Sequence, residues 1–303
     1  LGYPPEQWIN DDLVTDLAVE RTAPNFETHF YRLLQLYKTT NPDAIVGTYI
    51  SGSDCRKVEH RINFLTEAVD YDSISQQFFV SPYDEQNKRA TVDIANSIAR
   101  ATFIQRIIGL VRNRRRPLLF LDNIRHPMQL STAPPWSTTC QYLSELTQQL
   151  HTIGIRSIAN IAMLPQFLSP EDGVLIQNAV DGFAFEQAFH EAALTEEKIF
   201  YGIQIYRQWL NVAKTVVFIP VHPEGAVNIE QQETYATFQA ALAMIIRNPG
   251  HKLWVSAPFW RPPPDWTDWP RQLGGSNGDY QLNYPLLTRS FENGTVTVNL
   301  TEK

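Results

Sequence analysis

The stretch Pro117–Pro127, PLLFLDNIRHP, carries an unbroken apolar run that stops on a carboxylate. Such a run reads as a strand buried on both faces, the pattern of a parallel sheet. Asp122 then stands at the strand's exit, with Asn123, Arg125 and His126 within the next four residues. Two explanations compete. Either the aspartate caps a turn, or the strand presents it at a working surface.

Working outward, similar apolar, β-branched segments recur on both sides. Strands are expected in Leu13–Glu20, Ala44–Ser51, Ser73–Ser81, Pro117–Ile124, Ile155–Met163, Asp181–Phe189, Lys214–Val221 and Lys252–Ala257. Amphipathic helices fill the gaps. Phe26, Phe30, Leu33, Leu34 and Tyr37 form one stripe at helical spacing. Ser169, Pro170 and the acids behind them make a helix start. Residues 196–210 and 233–247 are long and amphipathic, and Gly154 and Gly250 each close a helix ahead of a strand. Eight strands alternating with helices make the layout of a (β/α)8 TIM barrel, an α/β fold. An open doubly wound sheet would carry a glycine-rich turn after its first strand, and none is present. The expected division is a barrel over residues 1–260 and a C-terminal loop and β-hairpin extension over 261–303.

Loop chemistry sets the polarity. Segments entering strands are short: TNPD, RNRRRP, HTIG and RNPGH. Those leaving strands are longer and carry unusual residues: SGSDCRK, SPYDEQNK, EQAFHEA, HPEGAVN and PFWRPPPDWTDWP. Barrel active sites lie on the loops that follow the strands. The basic run from Arg112 falls on the other side, where it ends a helix and complements the macrodipole.

Composition excludes several classes. Of 303 residues, 43% are hydrophobic and 19% charged, and a net charge of −7 argues against nucleic acid as a partner. No run is long enough to span a bilayer. Two cysteines, Cys55 and Cys140, allow at most one disulfide and no zinc cluster of their own. The chain starts at Leu1 and is read as a mature or trimmed form, with secretion or a periplasmic location expected. Sequons stand at Asn293 and Asn299. The His-x-His, His-Glu-x-x-His, Gly-x-Ser-x-Gly and Walker patterns are missing, so neither a metal nor a cofactor is expected. LGGSNGDY has glycine turns without a following helix and reads as a loop. Nothing here fixes an oligomeric state.

Two carboxylates interrupt apolar strands at their exits, Asp122 on the fourth and Glu186 on the sixth. Strands of the same parity can point inward together, and two facing carboxylates are what glycoside hydrolysis uses. The bland reading has Asp122 capping a turn and Glu186 pairing with an arginine. Around them, substrate contacts are expected from Tyr49, Asp54, Tyr83, Asp84, Asn123, His126, Asn160, His222, Glu224 and Trp260. Their hydroxyls, amides, imidazoles and carboxylates suit a polyhydroxylated substrate. Indoles such as Trp260 offer flat faces for sugar rings, although packing at the barrel mouth is the competing role.

The LLFLDNI segment with Asp122, DGFAFEQAF with Glu186, and the ending TRSFENGTVTVNLT together resemble the glycoside hydrolase-type barrels related to endo-α-1,4-polygalactosaminidases and α-galactosidases. The resemblance spans most of the chain through short motifs. It implies hydrolysis of a glycosidic bond, with Asp122 as nucleophile and Glu186 as general acid/base. Those barrels typically carry Asp after the sixth strand. Glu186 has a longer arm, so the resemblance leaves retention or inversion open. A non-catalytic carbohydrate-binding barrel is the alternative. A sugar-phosphate lyase or aldolase would want a lysine at a strand exit, where only Lys57 and Lys88 are near.

Overall fold

A computed structural model describes residues 13–15, 45–57, 67–114, 117–124, 134–161, 169–186, 196–212, 214–219, 229–248, 251, 253–255 and 272–300. The chain divides into two compact units, residues 1–161 with 174–181, and residues 162–173 with 182–303.

The first unit is built on a parallel sheet. Strands β1 (Leu13–Thr15), β2 (Ile45–Arg56), β5 (Leu118–Asp122) and β6 (Arg156–Asn160) lie side by side in that order. Short strands β3 (Glu67–Asp70) and β4 (Ala90–Thr91) join the far end of β2, the latter antiparallel. Leu118, Leu119, Phe120 and Leu121 are all buried, as a strand covered on both faces requires. Cα register pairs Tyr49 with Phe120 and Ser51 with Asp122, while Phe120 pairs with Ile158. Side chains alternate along a strand, so Tyr49, Phe120, Ile158, Asp122 and Asn160 share one face. The other face meets helices: Ser157 shares a 2.8 Å hydroxyl–hydroxyl bond with Thr147 of α2 (Trp136–Thr152).

Helix α1 (Ser97–Arg114) starts where Asn96 Oδ1 accepts from the amides of Ile98 and Ala99, at 3.0 and 3.2 Å. It ends inside the basic run, as the charge pattern implies. Arg100 ties it to α2 through a fork to Glu145, at 2.9 and 3.1 Å. That fork holds the Glu145 carboxyl below the usual range. Gly154, at φ +75°, turns the chain out of α2 into β6, a conformation that a side chain would strain.

One expected strand is corrected. Residues 73–81 do not form it: Tyr71–Ser73 and Gln76–Phe78 are single 3-10 turns, and the strand is β3, upstream. Asp70 explains the break, since its carboxylate accepts from the Asp72 amide at 3.3 Å and bends the chain. Ser75, Gln76 and Gln77 then supply no apolar alternation to restart pairing.

In sequence α3 (Pro170–Ala179) comes next, and Ser169 Oγ accepts from the Asp172 amide at 3.1 Å, as the start signal implies. The second unit holds parallel strands β7 (Gly182–Glu186), β8 (Thr215–Ile219) and β9 (Leu253–Val255). Helices α4 (Glu196–Asn211) and α5 (Ile229–Ile246) accompany them. Phe183 and Phe185 pack on Trp209 of α4, with centroids 4.5 and 5.6 Å away. Truncating such a buried aromatic costs about 3–5 kcal/mol.

An antiparallel sheet closes the chain: β10 (Gln281–Asn283), β11 (Leu286–Phe291) and β12 (Gly294–Asn299). Asn293 and Gly294 turn β11 into β12, the hairpin that the sequence implies. Buried Arg289 caps the end of α5, donating to the carbonyls of Ile245 (2.8 Å) and Arg247 and to Asn248 Oδ1 (2.7 Å). Parallel strands alternating with helices make this an α/β protein. Cys55 and Cys140 are both buried. Among the described residues, no helix is long and apolar enough to cross a membrane. The expected helix around residues 26–40 and the glycine at 250 lie outside the described residues.

Candidate active site

Asp122 ends β5 at the C-terminal edge of the parallel sheet, half-buried. Among the described residues, three neighbours reach its carboxylate. Asn160, the last residue of β6, donates from Nδ2 to Oδ1 at 2.9 Å. Tyr49 of β2 donates its hydroxyl proton to Oδ2, and Asn123 Nδ2 donates to the same oxygen at 3.1 Å. All three donors are neutral, so they fix the plane of the carboxylate without pairing it with a cation. Tyr49 is buried, its ring stacked on Phe120 at 5.5 Å, which aims the hydroxyl along the sheet face towards the strand end.

The turn after Asp122 is built for this arrangement. Asn123 sits at φ +49°, a left-handed conformation that asparagine tolerates better than most residues. That backbone brings its amide back to the preceding carboxylate, while its carbonyl accepts from Ser53 Oγ. Gly52 allows β2 to pass close by: a Cβ there would lie 2.9 Å from Ile124 Cγ2 and 3.0 Å from the Asp122 carbonyl.

Beyond that passage β2 carries a second polar cluster. Asp54 is fully buried and accepts from Ser51 Oγ (3.3 Å) and Thr91 Oγ1 (3.1 Å), with Arg89 Nη1 at 3.6 Å. Arg56 is nearly buried too, and desolvation pulls its guanidinium down from the ordinary value despite Asp54 nearby. Tyr83 meets Lys57 twice: its hydroxyl accepts the Lys57 amide at 3.4 Å, and the ammonium lies 4.4 Å from its ring centroid. Burial raises the Tyr83 phenol. The Asp84 carboxylate serves its own turn, accepting from the amides of Gln86 and Asn87 and from Asn87 Nδ2, at 2.9, 2.9 and 2.6 Å.

Of the residues singled out from sequence, the structure therefore joins Tyr49, Asn123 and Asn160 directly to Asp122. Asp54 forms a separate buried cluster, and Tyr83 and Asp84 stand in the segment that follows it. Glu186 is the last residue of β7, paired in register with Ile219. His126, His222, Glu224 and Trp260 lie outside the described residues. Ser53 was not anticipated, although a hydroxyl beside Gly52 on a strand leaving the sheet was a usable signal.

No protein-family model matches the chain, and no curated protein sequence matches it. Its fold is nonetheless shared with solved structures. Ega3 of Aspergillus fumigatus, in complex with galactosamine, superposes with a TM-score of 0.52 at 10% identity, over 83% of this chain and 87% of that one. The noncanonic maltogenic α-amylase AmyB of Thermotoga neapolitana gives 0.53 at 9% identity, over 98% and 79%. At such identities the likeness is one of fold. The chain shares the α/β fold of these two structures.

Proposed function

We propose that this protein is a glycoside hydrolase that cleaves a glycosidic bond in an oligo- or polysaccharide, with Asp122 as nucleophile and Glu186 as general acid/base. One observation carries the reading: Asp122 leaves a parallel strand half-exposed and is held by three neutral donors. An arginine partner would blunt a nucleophile, whereas amides and a phenol orient it without a countercharge. A turn cap would instead spend its oxygens on backbone amides, as Asp84 does.

The proposed architecture is a closed (β/α)8 barrel over residues 1–260, with residues 261–303 packed on it. In that barrel β5 and β7 are the fourth and sixth strands, and their acids face one mouth. A carboxylate gap of about 5–5.5 Å serves a retaining route and about 6.5–9.5 Å an inverting one. The resemblance to α-galactosidase-type barrels favours retention. His126, His222, Glu224 and Trp260 are proposed to line the substrate groove, and the protein to act outside the cytoplasm.

The test is a panel of galactosamine-containing polymers and α-glucans, the classes that the names of the two solved structures point to. Asp122→Asn and Glu186→Gln should each abolish turnover, and proton NMR of the first product should show the retained anomer. Binding without turnover by the unmodified protein would replace this reading with a carbohydrate-binding barrel. An inverted product would overturn retention alone.

A further inference from the structure

We propose that Tyr49 is a positioning residue that, with Asn123, occupies Oδ2 of Asp122 and leaves Oδ1 as the attacking oxygen. The inference rests on the hydrolase reading above and divides the carboxylate into two unlike atoms. Oδ2 accepts two hydrogen bonds, from the Tyr49 hydroxyl and from Asn123 Nδ2 at 3.1 Å. Among the described residues Oδ1 accepts one, from Asn160 at 2.9 Å. A carboxylate oxygen that receives two donors has its in-plane lone pairs engaged and cannot readily attack.

The reaction then balances as follows. A lone pair on Oδ1 forms the bond to the anomeric carbon while the glycosidic C–O bond breaks, and the departing oxygen takes the proton of Glu186. Oδ2 becomes the carbonyl of the glycosyl ester and keeps both donors, since a carbonyl oxygen has two lone pairs to offer. Water next gives its proton to Glu186 and its oxygen to the anomeric carbon, and the electron pair returns to Oδ1. The Tyr49–Oδ2 bond therefore persists throughout and holds the plane of the group. Sequence placed Tyr49 among the substrate contacts. Its one hydroxyl proton is instead given to Asp122, and its ring is buried on Phe120.

Kinetics on a substrate found in the panel decide this. Tyr49→Phe keeps the stacked ring and removes only the hydroxyl. Losing the bond that fixes the carboxylate plane misplaces the attacking oxygen and predicts a fall in kcat of about ten- to a hundredfold. KM should change by less than about twofold, because the lost bond orients the carboxylate and touches no substrate. The melting temperature should hold. Asn123→Gly is the second variant: glycine suits the left-handed backbone at φ +49°, and only the other donor to Oδ2 is lost, so kcat should fall in the same sense. Unchanged kcat in both variants, with Asp122→Asn inactive, overturns the inference and spares the hydrolase reading. A raised KM at unchanged kcat in Tyr49→Phe returns Tyr49 to substrate binding. Full activity in Asp122→Asn, or no turnover anywhere in the panel, overturns the parent reading and this inference with it.

Discussion

Asp54 lies three residues beyond Ser51, the register partner of Asp122, yet the two carboxylates have opposite surroundings. Asp122 is half-exposed and meets neutral donors from β2, β6 and its own turn. Asp54 has no exposed surface, a guanidinium lies 3.6 Å away, and two hydroxyls donate to its carboxylate. A buried anion beside a cation is costly to disturb and poorly placed to attack anything. A half-buried carboxylate among fixed dipoles is available for chemistry. Position at a strand end does not by itself distinguish the two; the charge and access of the neighbours do.

That contrast breaks most easily at Asp122. Asp122→Asn should lower turnover on the order of a thousandfold or more, as loss of a nucleophile does, with little change in melting temperature. A variant that melted early while keeping its turnover would make Asp122 the structural residue of the pair. Asp54→Ala should behave in the reverse sense. Arg89, Ser51 and Thr91 would lose their shared acceptor, at a cost of about 3 kcal/mol read from urea unfolding. An unchanged midpoint would show that the Asp54 cluster adds nothing to the fold and would reopen its expected role in substrate contact.

Much of this arrangement was legible beforehand. The apolar run into Asp122 announced β5, because burial on both faces leaves no polar position to confuse the pattern. Ser169 and Gly154 announced a helix start and a helix end through capping chemistry that acts within a few residues. β3 was not legible: Glu67–Asp70 offers only Ala68 and Val69 as apolar residues, and both strand ends are acids. The partner of the Tyr49 hydroxyl was also hidden. Tyr49 was placed on the second strand, but its meeting with Asp122 depends on the offset between β2 and β5, a tertiary quantity. Asn123 carried a signal that went unused, since an asparagine directly after a strand is a frequent site of left-handed backbone.

The smallest effect separates Asp122 from a third carboxylate in the same strand-exit region. Asp84 is half-buried, and hydrogen bonds from the Asn87 side chain, then from backbone amides, hold its carboxyl below the ordinary range. A group depressed on folding stabilises the folded turn at pH above its unfolded value, and that contribution is lost as pH falls through the folded value. Acidification below the usual carboxylate range should therefore loosen the turn between Asp84 and Arg89, where each backbone amide bonds the other's carbonyl. The Gln86 and Asn87 amides should show it first, as faster hydrogen exchange relative to the strand amides of β5. Asp84→Asn should remove the acid dependence while leaving the turn in place, because an amide oxygen still accepts from both backbone N–H groups. Exchange at Gln86 and Asn87 that ignored pH in the unmodified protein would show that the Asp84 charge does no work in the turn, and that its oxygens serve there only as dipoles.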